Sequence, residues 1–315
     1  MNIKNKIITI LMLFAALWVP SVNASSKLTL ILDWFPNVDH LPIYVARQQG
    51  FFADEGLDIK IISPSETTDA IKLVASGKMD IAVSYEPQTI IAAARGLPVV
   101  VIGRLIEHPL TTLMFLKDQG IEVPADLAGK KIGYTVPGLM DVLLQAFVTI
   151  NGIGRYEAVN VGFAIVQSLT AGKVDAVMGP FKTYETVELT HRGYKVGYFE
   201  LEKWGIPDYD ELVFLTSRKS LENNRAAMAA FRRAVSRAIE KVRQNPTQAL
   251  QNYFKQVPEA DARTETDAFR LTLPYYAGNQ KLDHRRWQRF ADFALQYGLI
   301  GKKVDVKSVL WTPGK

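Results

Sequence analysis

Through the first two-thirds of the chain, short runs of apolar, often β-branched residues alternate with stretches that repeat an apolar residue every three or four positions. The runs predict strands at 28–32, 58–62, 81–84, 99–102, 131–135, 160–163, 176–178, 195–198 and 211–216. Between them, segments such as "DAIKLVASGK", "PQTIIAAARG" and "GLMDVLLQAFVTI" have the spacing of amphipathic helices. Alternation of this kind gives α/β architecture with mostly parallel sheets. From 221 to 299 the pattern becomes almost entirely helical, opening with "NNRAAMAAFRRAVSRAIEKVRQNP" and halting at Pro246.

One segment occurs twice. "LVASGKMDIAVSYEP" (73–87) and "SLTAGKVDAVMGPFK" (168–182) both end a helix at Gly-Lys, enter a short apolar strand through an Asp (Asp80, Asp175), and finish in an aromatic tip. Two copies of one unit predict two lobes built alike. Ligands of open parallel sheets bind beyond the carboxyl ends of the strands. Facing lobes would therefore send Trp34, Tyr85 and Phe181 into one cleft. This also accounts for "LDWFPNVDH" (32–40), in which an apolar run stops at an acid and two aromatics.

The N-terminus changes the compartment. "MNIKNKIITILMLFAALWVPSVNASS" has a basic start, a short apolar stretch and a small-residue cleavage site, the plan of a secretory signal. Residues 1–24 are expected to be removed, which lowers the formal net charge from +5 to +3. The chain contains no Cys, so disulfides, thiol catalysis and thiolate metal sites are excluded, and so is a lipid-anchored start. Arg225, Arg232, Arg233 and Arg237, and again His284, Arg285, Arg286 and Arg289, fall at helical spacing and read as solvated helix faces, not as a nucleic-acid surface. The four His residues have no metal-ligand spacing.

"LDWFPNVDHLPIYVARQQGFFADEGLDIKII", "KLVASGKMDIAVSY", "IEHPLTTLMFLKDQGIEVPADLAGKKIGY" and "GIPDYDELVFLTS" together resemble the periplasmic solute-binding proteins of ABC importers. Within them the chain is similar to the branch that holds thiamine-pyrimidine-precursor binders and the fungal hydroxymethylpyrimidine synthases. The likeness runs over about 28–217, and "D-W-x-P-N-x-x-H" is its most specific part. It implies the two-lobed type II periplasmic binding fold, each lobe a mostly parallel sheet flanked by helices, with crossings near 107–113 and 208–214. One lobe would comprise 25–109 plus 213–315 and the other 110–212. It further implies a monomer in the periplasm that binds a small aminopyrimidine, needs no cofactor or metal, and serves an inner-membrane permease with its ATPase.

A flat aminopyrimidine needs aromatic faces and a carboxylate for its amine or protonated ring nitrogen. Under the resemblance, Trp34 is a stacking face and Asn37 an amide partner, with Tyr85 a second aromatic. Glu185, in "KTYE" where the family writes a W-x-x-E type segment, is the preferred carboxylate. Lys182 stands where the family often has an aromatic residue, so Phe181 or Tyr184 must supply the other face. Asp33 either bonds the ligand or orients its turn, and His40 shapes that turn. Gly138, in "GYTVPGLMD", offers a free amide or is a plain turn; Tyr209 lies at the second crossing, as hinge or cleft wall. Two other functions remain open: a binder of alkyl sulfonates or other small anions, and a synthase-like enzyme that uses pyridoxal phosphate and iron.

Overall fold

The computed structural model describes residues 25–313, so the expected signal lies outside the described residues. None of the described helices is long and apolar enough to cross a membrane. Strands β1 (Ser26–Ile31), β2 (Leu57–Ile62), β3 (Ile81–Ser84), β4 (Val99–Ile106) and β10 (Leu212–Ser217) form one sheet in the order β2-β1-β3-β10-β4. Strands β5 (Thr111–Leu116), β6 (Lys131–Tyr134), β7 (Glu157–Asn160), β8 (Ala176–Phe181) and β9 (Val196–Glu200) form the other, ordered β7-β6-β8-β5-β9. The two orders are the same pattern. In each sheet the strand that arrives from the other sheet, β10 or β5, lies fourth and runs antiparallel to both neighbours. The remaining pairings are parallel.

The nine expected strands correspond to nine of these. The strand the pattern did not predict is β5, "TTLMFL", in which all six residues are buried between β8 and β9. A strand covered on both faces shows no apolar-polar alternation to mark it. The run expected at 160–163 ends as a strand at Asn160, whose side-chain oxygen accepts from Gly162 N at 3.0 Å and turns the chain.

The repeated segment does the same work twice. Asp80 Oδ2 accepts from Thr29 N and Oγ1, both at 2.8 Å, which ties the entry of β3 to β1. Asp175 Oδ2 accepts from Lys131 N at 2.7 Å, which ties the entry of β8 to β6. A carboxylate just before a strand thus fixes its register against the parallel neighbour.

The C-terminal helices pack back on the first sheet. The Arg225–Gln244 helix buries Met228, Phe231, Val235, Ala238, Ile239 and Val242, a stripe at three- and four-residue spacing, and lies on the helix Leu41–Gln48. Its outer face is charged as expected: Arg233 pairs with Glu55, and Arg237 pairs with Asp54 and covers the Phe51 ring at 4.4 Å. Arg286 departs from the expected solvated face. It is buried, and its Nη2 donates to Asp210 Oδ1 at 2.8 Å.

That bond belongs to the crossings, which lie between Ile106 and Thr111 and between Glu200 and Leu212. Asp210 also accepts from Trp287 Nε1 at 2.8 Å and from Arg104 Nη1 at 3.3 Å. Glu211 accepts from Leu110 N at 2.6 Å, Thr111 N at 2.7 Å and Thr111 Oγ1 at 2.8 Å, so the second crossing holds the first. Tyr209 is buried edge-on against Phe290 at 5.4 Å. Its hydroxyl lies 3.4 Å from Glu211 Oε2, so Tyr209 is packed within the crossing and does not line the cleft.

Replacing Asp80 with Ala removes two hydrogen bonds and is expected to cost about 2 kcal/mol of stability; Asp175→Ala removes one and should cost about 1 kcal/mol. Urea unfolding with an unchanged slope checks both, and equal, negligible costs would refute the register role.

Candidate functional site

At the carboxyl ends of the parallel strands a narrow pocket opens between the two sheets. From the first sheet come Asp33 and Trp34 beyond β1, Asn37, Asp39 and His40 in the turn that follows, Tyr85 beyond β3, and Leu212 at the start of β10. From the second come Thr135 beyond β6, Gly179 and Phe181 in β8, Ile165, Tyr184 and Glu185.

The turn after β1 is held by its own polar side chains. Asn37 Oδ1 accepts from Asp39 N at 2.9 Å and caps the single turn of 3-10 helix Val38–His40. Asp33, an acceptor when ionised, takes His40 Nε2 at 2.9 Å on one oxygen and the Tyr85 hydroxyl at 2.7 Å on the other. Pro42 lies in the first turn of the helix Leu41–Gln48 beyond. In the opposite wall, Glu185 opens the helix Glu185–His191 and accepts from Phe181 N at 2.7 Å. Gly179 has φ +128°, and a Cβ there would lie 2.2 Å from Thr135 Oγ1; only glycine lets β8 pass this close to the end of β6.

Several contacts join the two halves across the pocket. Trp34 stands edge-on to Phe163 at 4.6 Å. Thr67 Oγ1 donates to the Thr135 carbonyl at 3.0 Å. Tyr184 donates to Glu265 Oε1 at 2.8 Å, while Glu265 Oε2 accepts from Val38 N at 2.8 Å. His191 Nε2 lies 3.0 Å from Asp267 Oδ2.

The electrostatics are one-sided. Among the described residues, Asp33, Asp39 and Glu185 line the pocket and no Lys or Arg does. Lys182 is turned away into Glu200 and Glu202, at 2.9 and 3.0 Å. Burial pushes the carboxyl of Glu185 up to about 8, and pushes that of Asp39 up to about 6 against the opposing charge of His40 and the hydrogen bond from Thr272. Burial likewise raises the neighbouring Glu265 to about 8. Burial, helped by the charge of Asp33, also drives the Tyr85 hydroxyl well above its usual range.

Eight of the ten expected site residues meet here: Asp33, Trp34, Asn37, His40, Tyr85, Phe181, Tyr184 and Glu185. Gly138 and Tyr209 do not line the pocket. The Gly138 amide is taken by Asp141 Oδ1 at 2.6 Å, so "TVPG" is a turn, not an anion site. Asp39, Thr135, Ile165, Gly179 and Leu212 were not anticipated. Asp39 lay inside the quoted "PNVDH", and Gly179 occupies the tip of the repeated strand; both signals were in view.

Two sheets exchanging one strand each, joined by two crossings and enclosing a pocket at their strand ends, define the periplasmic binding protein fold. The alkanesulfonate-binding protein SsuA of Xanthomonas axonopodis pv. citri matches over 91% of this chain and 98% of its own, with TM-score 0.73 and 17% identity, a likeness of fold. The chain belongs to the NMT1/THI5-like family, whose model matches residues 37–249. It is 38% identical to the formylaminopyrimidine-binding protein of Halalkalibacterium halodurans over 76% of this chain and 73% of that one. It is 37% identical to a Haemophilus influenzae protein named for thiamine biosynthesis, over 90% and 91%. A Saccharomyces cerevisiae 4-amino-5-hydroxymethyl-2-methylpyrimidine phosphate synthase is 27% identical over 88% and 85%.

The raised carboxyls make stability depend on pH. Asp39, Glu185 and Glu265 hold protons when folded that an unfolded chain, with carboxyl values near 4, has released. Stability is therefore greatest below the unfolded values and is lost as pH rises through about 6 to 8. Thermal melts of the ligand-free protein between pH 5 and 8.5 should show Tm falling with pH. The slope should shrink in Glu185→Gln; a rising Tm would contradict it.

Proposed function

We propose that this chain is the substrate-binding component of an ABC importer. It works in the periplasm as a monomer and carries a thiamine-precursor aminopyrimidine, or a closely related heterocycle, to a membrane permease driven by a separate ATPase. Residues 25–109 with 213–315 form one lobe and 110–212 the other, and the ligand sits between them. The observation that carries this reading is the pocket lining, with aromatic rings from both sides, three carboxyl groups, and no Lys or Arg. Trp34, Tyr85, Phe181 and Tyr184 offer faces to a flat ring, and Glu185 accepts from its amine. The names of the binding-protein relatives support the same ligand class. Capture needs no bond to be made or broken; closure removes the ligand from water and creates the shape that a permease recognises.

The anion-binding alternative asks for the opposite lining. A sulfonate would meet Asp33, Asp39 and Glu185 with no guanidinium or ammonium to offset them. The synthase-like alternative fits no better. Pyridoxal phosphate asks for a lysine to hold its aldehyde and donors for its phosphate, and the pocket supplies carboxyls instead; the nearby Lys182 is committed to Glu200 and Glu202.

Isothermal titration checks the reading. Formylaminopyrimidine should bind, whereas taurine, alkanesulfonates and nitrate should not. A carboxylate accepting charge-assisted bonds out of water contributes about 1.5–3 kcal/mol, so Glu185→Gln should weaken binding roughly 10- to 150-fold. Loss of one stacking face in Trp34→Ala should cost about 1–3 kcal/mol. Unchanged affinity in both variants, or tighter binding of a sulfonate, would overturn the assignment.

A further inference from the structure

Asp39 is the pocket residue whose chemistry is unfinished. It is buried, with 1% of its surface exposed, and its Oδ1 accepts from Thr272 Oγ1 at 3.0 Å, which joins the turn after β1 to the helix Ala262–Thr272. Its Oδ2 has no hydrogen-bond partner among the described residues. Among the buried polar atoms of the pocket residues, the other one without a partner is Nδ1 of the adjacent His40. A buried carboxylate oxygen left without a donor is costly, and such atoms in folded proteins call for a specific explanation. The remaining carboxyls nearby are already engaged: Asp33 by His40 and Tyr85, Glu185 by Phe181 N, and Glu265 by Tyr184 and Val38 N. Asp39 and Glu185 approach from opposite halves, one in the turn beyond β1 and the other in the helix that follows β8.

We propose that Asp39 is a specificity-determining residue: its free Oδ2 accepts a second N–H of the ligand, so that the pocket selects a flat ring bearing an amidine-like pair of donors and a positive charge. This rests on the reading of the pocket as the ligand site, but it deepens it. One carboxylate would accept any amine-bearing ring. Two carboxylates, one from each half, in a lining without Lys or Arg, demand a ligand that supplies donors to both, as the protonated N–C–NH₂ edge of an aminopyrimidine does. A neutral ring or one bearing only carbonyl oxygens leaves Asp39 unpaired and is rejected, because discrimination is strongest where the wrong ligand strands a buried polar group.

The test uses the mature protein and two probes, formylaminopyrimidine and benzamidine, with neutral benzamide as the control for the second. The wild-type protein should bind benzamidine at least tenfold more tightly than benzamide. Asp39→Asn should weaken both probes at least tenfold and erase the preference over benzamide, while Thr272→Val, which removes only the Oδ1 bond, should leave the preference intact. If Asp39→Asn binds formylaminopyrimidine within twofold of wild type, Asp39 is structural and the inference fails while the function stands. If formylaminopyrimidine does not bind but benzamidine does, in an Asp39-dependent way, the function reading fails and the selection for amidine-like cations stands. Absence of binding by either probe overturns both.

Discussion

Two consecutive acids in the second crossing, Asp210 and Glu211, hold the molecule in the form on which everything else depends. Asp210 gathers Arg104 from β4 and Arg286 and Trp287 from the helix His284–Gln296; Glu211 accepts the amides of Leu110 and Thr111 in the first crossing. A chain that passes twice between sheets must fix both passes, or the exchanged strands β5 and β10 have no defined register. Neutral residues could fill the space, but they could not bring an arginine, an indole N–H and two backbone amides to one place. Burial pushes the Glu211 carboxyl up to about 7, the cost of taking an acid out of water, yet each of its oxygens keeps a donor.

The exchange determines where a ligand can sit. Each inserted strand runs against its neighbours, so the chain enters β10 at the pocket end of the first sheet, which is why Leu212 lines the pocket beside the tips of β1 and β3. The site and the crossing are covalently adjacent. Tyr85 donates to Asp33 in the pocket, and the next residue, Glu86, accepts from Asp210 N at 2.8 Å in the crossing.

Much of this was readable from residue order alone. Short apolar runs between helical stretches marked nine of the ten described strands, and the repeated "G-K-x-D" segment announced two similar sheets because the same carboxylate-to-amide bond recurs in each. Trp34, Tyr85 and Phe181 could be placed together because each follows a parallel strand, and parallel strands end on one side. What could not be read depends on pairing between distant segments. Strand β5 lacks alternation because both its faces are buried. Thr135 and Gly179 meet only because β6 pairs with β8, and Glu265 reaches Val38 from 227 residues away. Tyr209 looked equally suited to hinge and cleft wall, since an aromatic next to two acids has the composition of either. Its burial outside the pocket depends on the helix His284–Gln296, whose Arg286 looked from its spacing like one more surface charge.

The pocket shows why a binding protein holds an environment that works against its own folding. Asp33, Asp39 and Glu185 line a space to which the described residues bring no lysine or arginine, Glu265 lies beside it, and burial raises Asp39, Glu185 and Glu265 toward neutrality. Filling that space with a guanidinium would satisfy the acids and stabilise the closed form with nothing bound. On the proposed reading a cationic ligand completes the pairing, and its contacts add to those by which Tyr184 reaches Glu265 and Thr67 reaches Thr135 across the pocket. Differential stability of the closed form, not chemistry at any one atom, is what such a site supplies, and the stranded oxygen of Asp39 measures how far the protein alone falls short of it.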